Sequence, residues 1–298
     1  MSSEKKSIWW FIVSSLIFSV MSILIKYASY IDSFKTTMFR FAIGMAILGT
    51  LAILGRIKLD FSKPMLLVFR GICGGIAVYL YFWSISEIGL ARGTIISHTS
   101  TVFSTVFSII FLKEKMTFIR AFFIGLAVVG LYIMMGGKET GFNINLAKDL
   151  LSLTGAAIAG IANVIIKKAR ETESAYSVFF SQCVIGFWIV LIPANLVPVR
   201  MGIGGGLILL SIGITAAAGQ LMMTYAYKFT TVTTGSLISM LTPVFNMLIG
   251  ITLFREVLTA GGFTGMLIVL VSCYMVIMSE DYTKKMLGFF KGRDNSGK

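Results

Sequence analysis

Ten apolar runs, each about as long as a bilayer core is thick, leave this chain few ways to fold. A membrane-spanning helix needs about 20 mostly apolar residues. By that ruler the 298-residue sequence has spans at 8–30, 36–55, 65–87, 91–112, 118–137, 147–168, 175–197, 205–228, 232–254 and 259–279. Inside lipid only helices and closed barrels satisfy every backbone polar group. No run shows the strict alternation of a barrel strand. The expected fold class is therefore all-α integral membrane, with ten transmembrane helices. Charged residues make up only 13% of the chain, about half the share of about 25% in soluble domains. That excludes a soluble globular enzyme and a disordered chain. The first run, continuing through Ile25, is too long for the apolar core of a cleaved signal peptide and reads as an uncleaved first span.

Lysines and arginines set the expected orientation. With the N-terminus inside, 17 of them fall in inner segments and 6 in outer ones. The positive-inside rule then places both termini in the cytoplasm and the protein in the inner (plasma) membrane as a multi-pass chain. The net charge of +13 lies in short inter-helix segments and in a basic tail, 281–298. That distribution suits anionic membrane lipid and gives nucleic acid no single basic face. Cys73, Cys183 and Cys273 sit far apart inside apolar runs, as buried hydrophobes rather than a disulfide framework or metal site.

A repeat organises the chain at an offset near 142 residues. Gly93–Glu114 (GTIISHTSTVFSTVFSIIFLKE) aligns with Gly235–Glu256 (GSLISMLTPVFNMLIGITLFRE). Ser97 pairs with Ser239, and Val102-Phe103 with Val244-Phe245. Lys26 pairs with Lys167, and Tyr132 with Tyr274. Each unit, 1–142 and 143–280, holds five spans, and an odd number inverts the second relative to the first. Inverted repeats characterise many secondary transporters, whose substrate sites lie near the midplane where the repeats meet.

The motifs Phe39-Arg40, ARGTIIS…FLKEK and TGSLISMLTPVF…LFRE make the chain resemble the drug/metabolite transporter superfamily, and within it the EamA-type ten-span members. The resemblance runs from about residue 8 to 279. Its most specific piece is Pro243 followed by Glu256. The first repeat departs from the pattern, with Thr101 where the second has Pro243. The resemblance implies a secondary transporter of small metabolites and does not specify which.

Ionisable groups in a bilayer are costly and mark functional sites. Lys26, near the outer end of span one, either reaches the headgroups or lines the outer vestibule. Arg40 has the same two readings, as an interfacial anchor or a vestibule charge, and Arg70 near the inner end of span three is weighed likewise. Glu87 is expected to pair with Arg92 across the turn. His98, the one histidine, sits in the polar stretch Ile96–Thr101. It reads either as a hydrogen-bonded core residue or as a cavity contact and proton-coupling group, since its ordinary pKa is near 6.5. Amides prefer the bundle interior. Asn163, Gln220 and Asn246 are therefore expected at a cavity, with Trp83, His98 and Tyr225 as further substrate contacts; Gln182 lies nearer a span end. Pro243 is expected to kink span nine or to be a tolerated bend. Gly71 with Gly75, Gly155 with Ala159, and Gly261 with Gly265 read as close-packing stripes. Glu114 and Glu256, at opposite faces, read as caps of the next helix or as gates.

No nucleotide-binding loop, metalloprotease or hydrolase motif is present, so the reading is a non-enzyme without cofactor or metal. Proton coupling, if used, would fall to His98. The expected function is export or exchange of a small metabolite by alternating access, amino acids leading. Nucleotide-like or S-adenosylmethionine-like metabolites or drugs are the runner-up. A non-transporting ligand sensor is the rival of another class.

Overall fold

The computed structural model describes residues 3–28, 30–134, 145–196, 202–254 and 259–295. Among them are twelve helices and no strand: α1 Ser3–Tyr27, α2 Ser33–Ile53, α3 Pro64–Ile88, α4 Leu90–His98, α5 Ser100–Leu112, α6 Phe118–Met134, α7 Leu146–Ala169, α8 Ala175–Leu196, α9 Ile203–Ala226, α10 Val232–Ile238, α11 Leu241–Phe254 and α12 Ala260–Asn295. They make ten spans, because α4 with α5 and α10 with α11 each share one apolar segment. Nine segments are long and apolar enough to cross a membrane, and the tenth, α6, has 17 described residues.

Local chemistry sets the helix ends. The Asp32 carboxylate accepts from Phe34 N at 2.8 Å and opens α2. Pro64 opens α3, where its missing N–H and fixed φ cost nothing. Gly89, with φ +87°, lets α3 turn directly into α4. The Asn145 side chain accepts from Lys148 N and caps α7.

The two helix breaks were not anticipated as a pair. One falls at Thr99, the other at Ser239–Met240, at matching places in the two repeats. A break leaves carbonyls without intrahelical donors. In the second repeat neighbouring helices supply donors. Thr101 Oγ1 donates to Ser236 O at 3.1 Å, and Ser15 Oγ to Ile238 O at 3.3 Å. Cys273 Sγ donates to Leu237 O at 3.5 Å. The bend expected at Pro243 is a full break of span nine just before it. Pro243 is the third residue of a new half-helix, where its missing donor has no intrahelical partner to lose. The matching break carries Thr101 in place of proline, so proline does not cause it.

The repeats are interlocked. α1, from the first repeat, packs on α9, α10 and α11 of the second, while α7, from the second, packs on α3, α4 and α5 of the first. Hydroxyls hold α1 in place. Ser7 Oγ donates to Ala226 O at 2.6 Å and Ser14 Oγ to Gly219 O at 2.8 Å. Between them α2 and α3 lie against α8 and α9, and α6 pairs with α12. Glycines permit the closest approaches. A Cβ on Gly75 would stand 2.9 Å from Gly186 Cα, and one on Gly265 would overlap Gly130 O and Met134 N. The close-packing reading of these positions stands.

Candidate functional site

A cavity of about 210 Å³ lies at the meeting of the two repeats. Its wall draws on α1 through Ser22, on α2 and α3, on both sides of the α4–α5 break (His98 and Ser100), and on α7. The second repeat's α8 and α9, and both sides of its own break (Ser236, Ser239 and Thr242), complete it. Apolar surface predominates, with a few convergent polar groups, the usual make-up of a small-molecule site.

Of the expected site residues, His98, Asn163 and Gln220 line this cavity. Asn163 Nδ2 donates to Ser104 Oγ at 3.0 Å, which ties α7 to α5. Trp83, Tyr225 and Asn246 do not line it. Trp83 follows Phe82 on α3 and takes a different azimuth from the cavity-lining Tyr81, two residues back. Tyr225 is 45% exposed and packs edge-on against Trp10. The Asn246 side chain accepts from Ser19 Oγ at 2.6 Å, a tie between α11 and α1. These three sit on the expected spans and on other faces of them.

Of the two readings of the arginines, the structure excludes the interfacial anchor. Neither Arg40 nor Arg70 reaches for the headgroups: they are 4% and 3% exposed, and both line the cavity. Arg40 Nη2 donates to Gln220 Oε1 at 3.4 Å, and its guanidinium lies 5.8 Å over the Phe82 ring. Arg70 Nη2 donates to Gln182 Oε1 at 2.6 Å. The chain's two glutamines thus hold its two buried cavity arginines. The Nε of each arginine and the Gln220 amide nitrogen are buried without a partner. Among the described lining residues there is no Asp or Glu. Gly74 makes room for the arrangement, since a Cβ there would overlap Arg70 Nη1.

Lys26 lines a second cavity, of about 260 Å³, between the C-terminal end of α1, the start of α2 and the end of α3. Phe82 is in that wall too, beneath the Arg40 guanidinium. Glu87 pairs with Lys148 of α7 at 2.6 Å; the side chain of Arg92, its expected partner, lies outside the described residues.

Two carboxylates tie elements together on the face that bears the N-terminus. Glu114 follows α5 and accepts from Val232 N at 2.7 Å, Thr233 N at 3.3 Å and Thr233 Oγ1 at 3.0 Å, all at the start of α10. It does not cap the helix that follows it; it joins the end of span four to the start of span nine. Glu173, 3% exposed, accepts from Lys63 N at 2.7 Å and Ser62 N at 3.3 Å before α3. Beside it Arg170 donates to Glu173 O and, through Nε, to Thr224 O at 3.1 Å. Burial lowers the Arg170 pKa from its ordinary value. Glu256, the equivalent of Glu114, and the side chains of the tail 281–298 lie outside the described residues. Among the described residues no group of three or more His, Cys, Asp or Glu could hold a metal ion.

A ten-span helical bundle of two interlocked inverted repeats, each with one broken span beside a shared cavity, is the architecture of a membrane carrier. The chain belongs to the EamA-like transporter family, which matches residues 5–136 and again 146–278. It is 28% identical over 267 residues to the pseudopaline exporter of Pseudomonas aeruginosa, covering 88% of this chain and 92% of that protein. It is 24% identical over 284 residues to mouse solute carrier family 35 member G1, covering 88% and 75%. An S-adenosylmethionine uptake transporter of Rickettsia bellii is 25% identical over 189 residues, covering 63% and 64%. A solved crystal structure superposes with a TM-score of 0.79 at 16% identity, over 92% of this chain and 97% of that one, and shares the fold.

Proposed function

We propose that this protein is a secondary transporter that moves a small metabolite across the inner (plasma) membrane by alternating access through the central cavity. The observation that carries this reading is the cavity's place: both repeats build it, and both helix breaks open onto it. Half-helices at a shared cavity let two bundles rock about a fixed site. The positive-inside balance supports cytoplasmic termini. Among substrates we place amino acids first, with export or exchange as the direction. The exporter among the relatives supports outward movement, and the uptake transporter keeps nucleoside-like solutes as the runner-up. Asn163 and Gln220 are the proposed substrate contacts, and His98 is the proposed coupling group.

Radiolabel flux in proteoliposomes tests this, with and without a pH gradient. Saturable flux of one solute class is expected. Asn163→Ala should reduce it, and His98→Gln should leave flux but remove its response to the gradient. A protein that binds a solute and passes none would be a sensor and would overturn the reading.

A further inference from the structure

Two guanidiniums in one membrane-embedded cavity, with no carboxylate on its described wall, make an unbalanced site. Each is more than nine-tenths buried, and each keeps its Nε without a partner. Arginines inside a membrane normally pair with an acid or face water. Here each is steadied by a neutral glutamine oxygen, which fixes its direction and leaves its charge uncompensated.

The two cations come from different walls. Arg70's guanidinium lies against Gly74, and Arg40's lies 5.8 Å over the Phe82 ring, eight residues further along α3. Arg40 and Arg70 also stand near the first ends of consecutive antiparallel helices, so they enter the cavity from opposite ends. Each charge still lies within electrostatic reach of the other. Two such cations, with no acid on the described wall, are balanced by a solute with two anionic groups. A short dicarboxylate offers one carboxylate to each guanidinium, where a monocarboxylate leaves one cation uncompensated.

We propose that the cavity is an anion site for a short dicarboxylate, one carboxylate held by Arg40 and the other by Arg70, with Gly74 as the residue that lets Arg70 occupy its place. This deepens the transporter reading and rests on it for the movement of the solute, not for its binding.

The test compares succinate and glutarate with butyrate, inorganic phosphate and glutamine, by calorimetry on the purified full-length chain and by flux in proteoliposomes. The dicarboxylates should bind about tenfold or more tightly than butyrate, as one additional charged contact requires. Arg40→Gln and Arg70→Gln should each bring that ratio close to one, with Arg70→Lys restoring part of it. Gly74→Ala should reproduce Arg70→Gln although it removes no charge, and Tyr225→Phe, off the cavity wall, should leave the ratio unchanged. Equal binding of succinate and butyrate by the parent would overturn the proposal, as would a ratio that survives both Gly74→Ala and the loss of either arginine. If an arginine variant does not fold, the parent ratio and Gly74→Ala still decide. Dicarboxylate binding without flux would sink the transporter reading and spare the site. Saturable flux of a cation or neutral solute, uncontested by dicarboxylates, would do the reverse.

Discussion

Replacing Glu114 by alanine tests whether the join between spans four and nine is a closure that opens. The carboxylate accepts three hydrogen bonds, from Val232 N, Thr233 N and Thr233 Oγ1, at 2.7, 3.3 and 3.0 Å. A hydrogen bond to a charged group contributes about 1.5–3 kcal/mol, but this carboxylate is only partly buried and two of the contacts are long. Water can take over part of what is lost, so a net cost of about 2 kcal/mol is expected for the closed arrangement. If the same contacts are absent once that face opens, the balance shifts about 30-fold toward the open state. The assay is labelling of a single cysteine introduced as Ala159→Cys, on the cavity wall, after replacement of Cys73, Cys183 and Cys273. A membrane-impermeant maleimide is added to vesicles from the N-terminal side. Labelling should accelerate by an order of magnitude or more in Glu114→Ala, and by less in Glu114→Gln, which keeps one acceptor. An unchanged rate in a folded variant would refute the closure argument and leave Glu114 as a static cap.

Two further outcomes follow from the packing. Gly265→Ala should lower thermal stability in detergent markedly, by about 1–3 kcal/mol, because its Cβ would meet the α6 backbone rather than a yielding side chain. Pro243→Ala should change stability by less than about 1 kcal/mol, since the residue lies in the first turn of α11 and not within a continuous helix; both are read from melting curves of purified protein.

The apolar runs and the repeat made the span count legible, and the polar residues of the middle spans pointed to His98, Asn163 and Gln220. What the sequence could not show is azimuth. Successive helix residues turn by about 100°, so Tyr81 reaches the cavity and Trp83 does not, although both lie at nearly one depth. The arginines stayed open between two readings for a related reason. Two turns from a helix end, a long cation either bends back to the headgroups or points inward. The choice rests on which helix covers it, here α9 over Arg40 and α8 over Arg70. One signal was available: a chain with only two glutamines places both in spans that also face its two cavity arginines. The helix breaks were hidden because hydropathy continues across them. Pro243 marked one and nothing marked the other.

The exchange of first helices between the repeats has a consequence for how the chain is made. Ser7 finds its acceptor at Ala226, 219 residues further on. A ribosome working at about 5–20 residues per second delivers that partner roughly 10–40 s after Ser7 itself. Through that interval span one stands in the membrane with Ser7, Ser14 and Ser19 lacking the groups they later hold. The first five spans are thus an assembly intermediate rather than a finished half, and a nascent chain arrested before span eight should expose them to quality-control proteases.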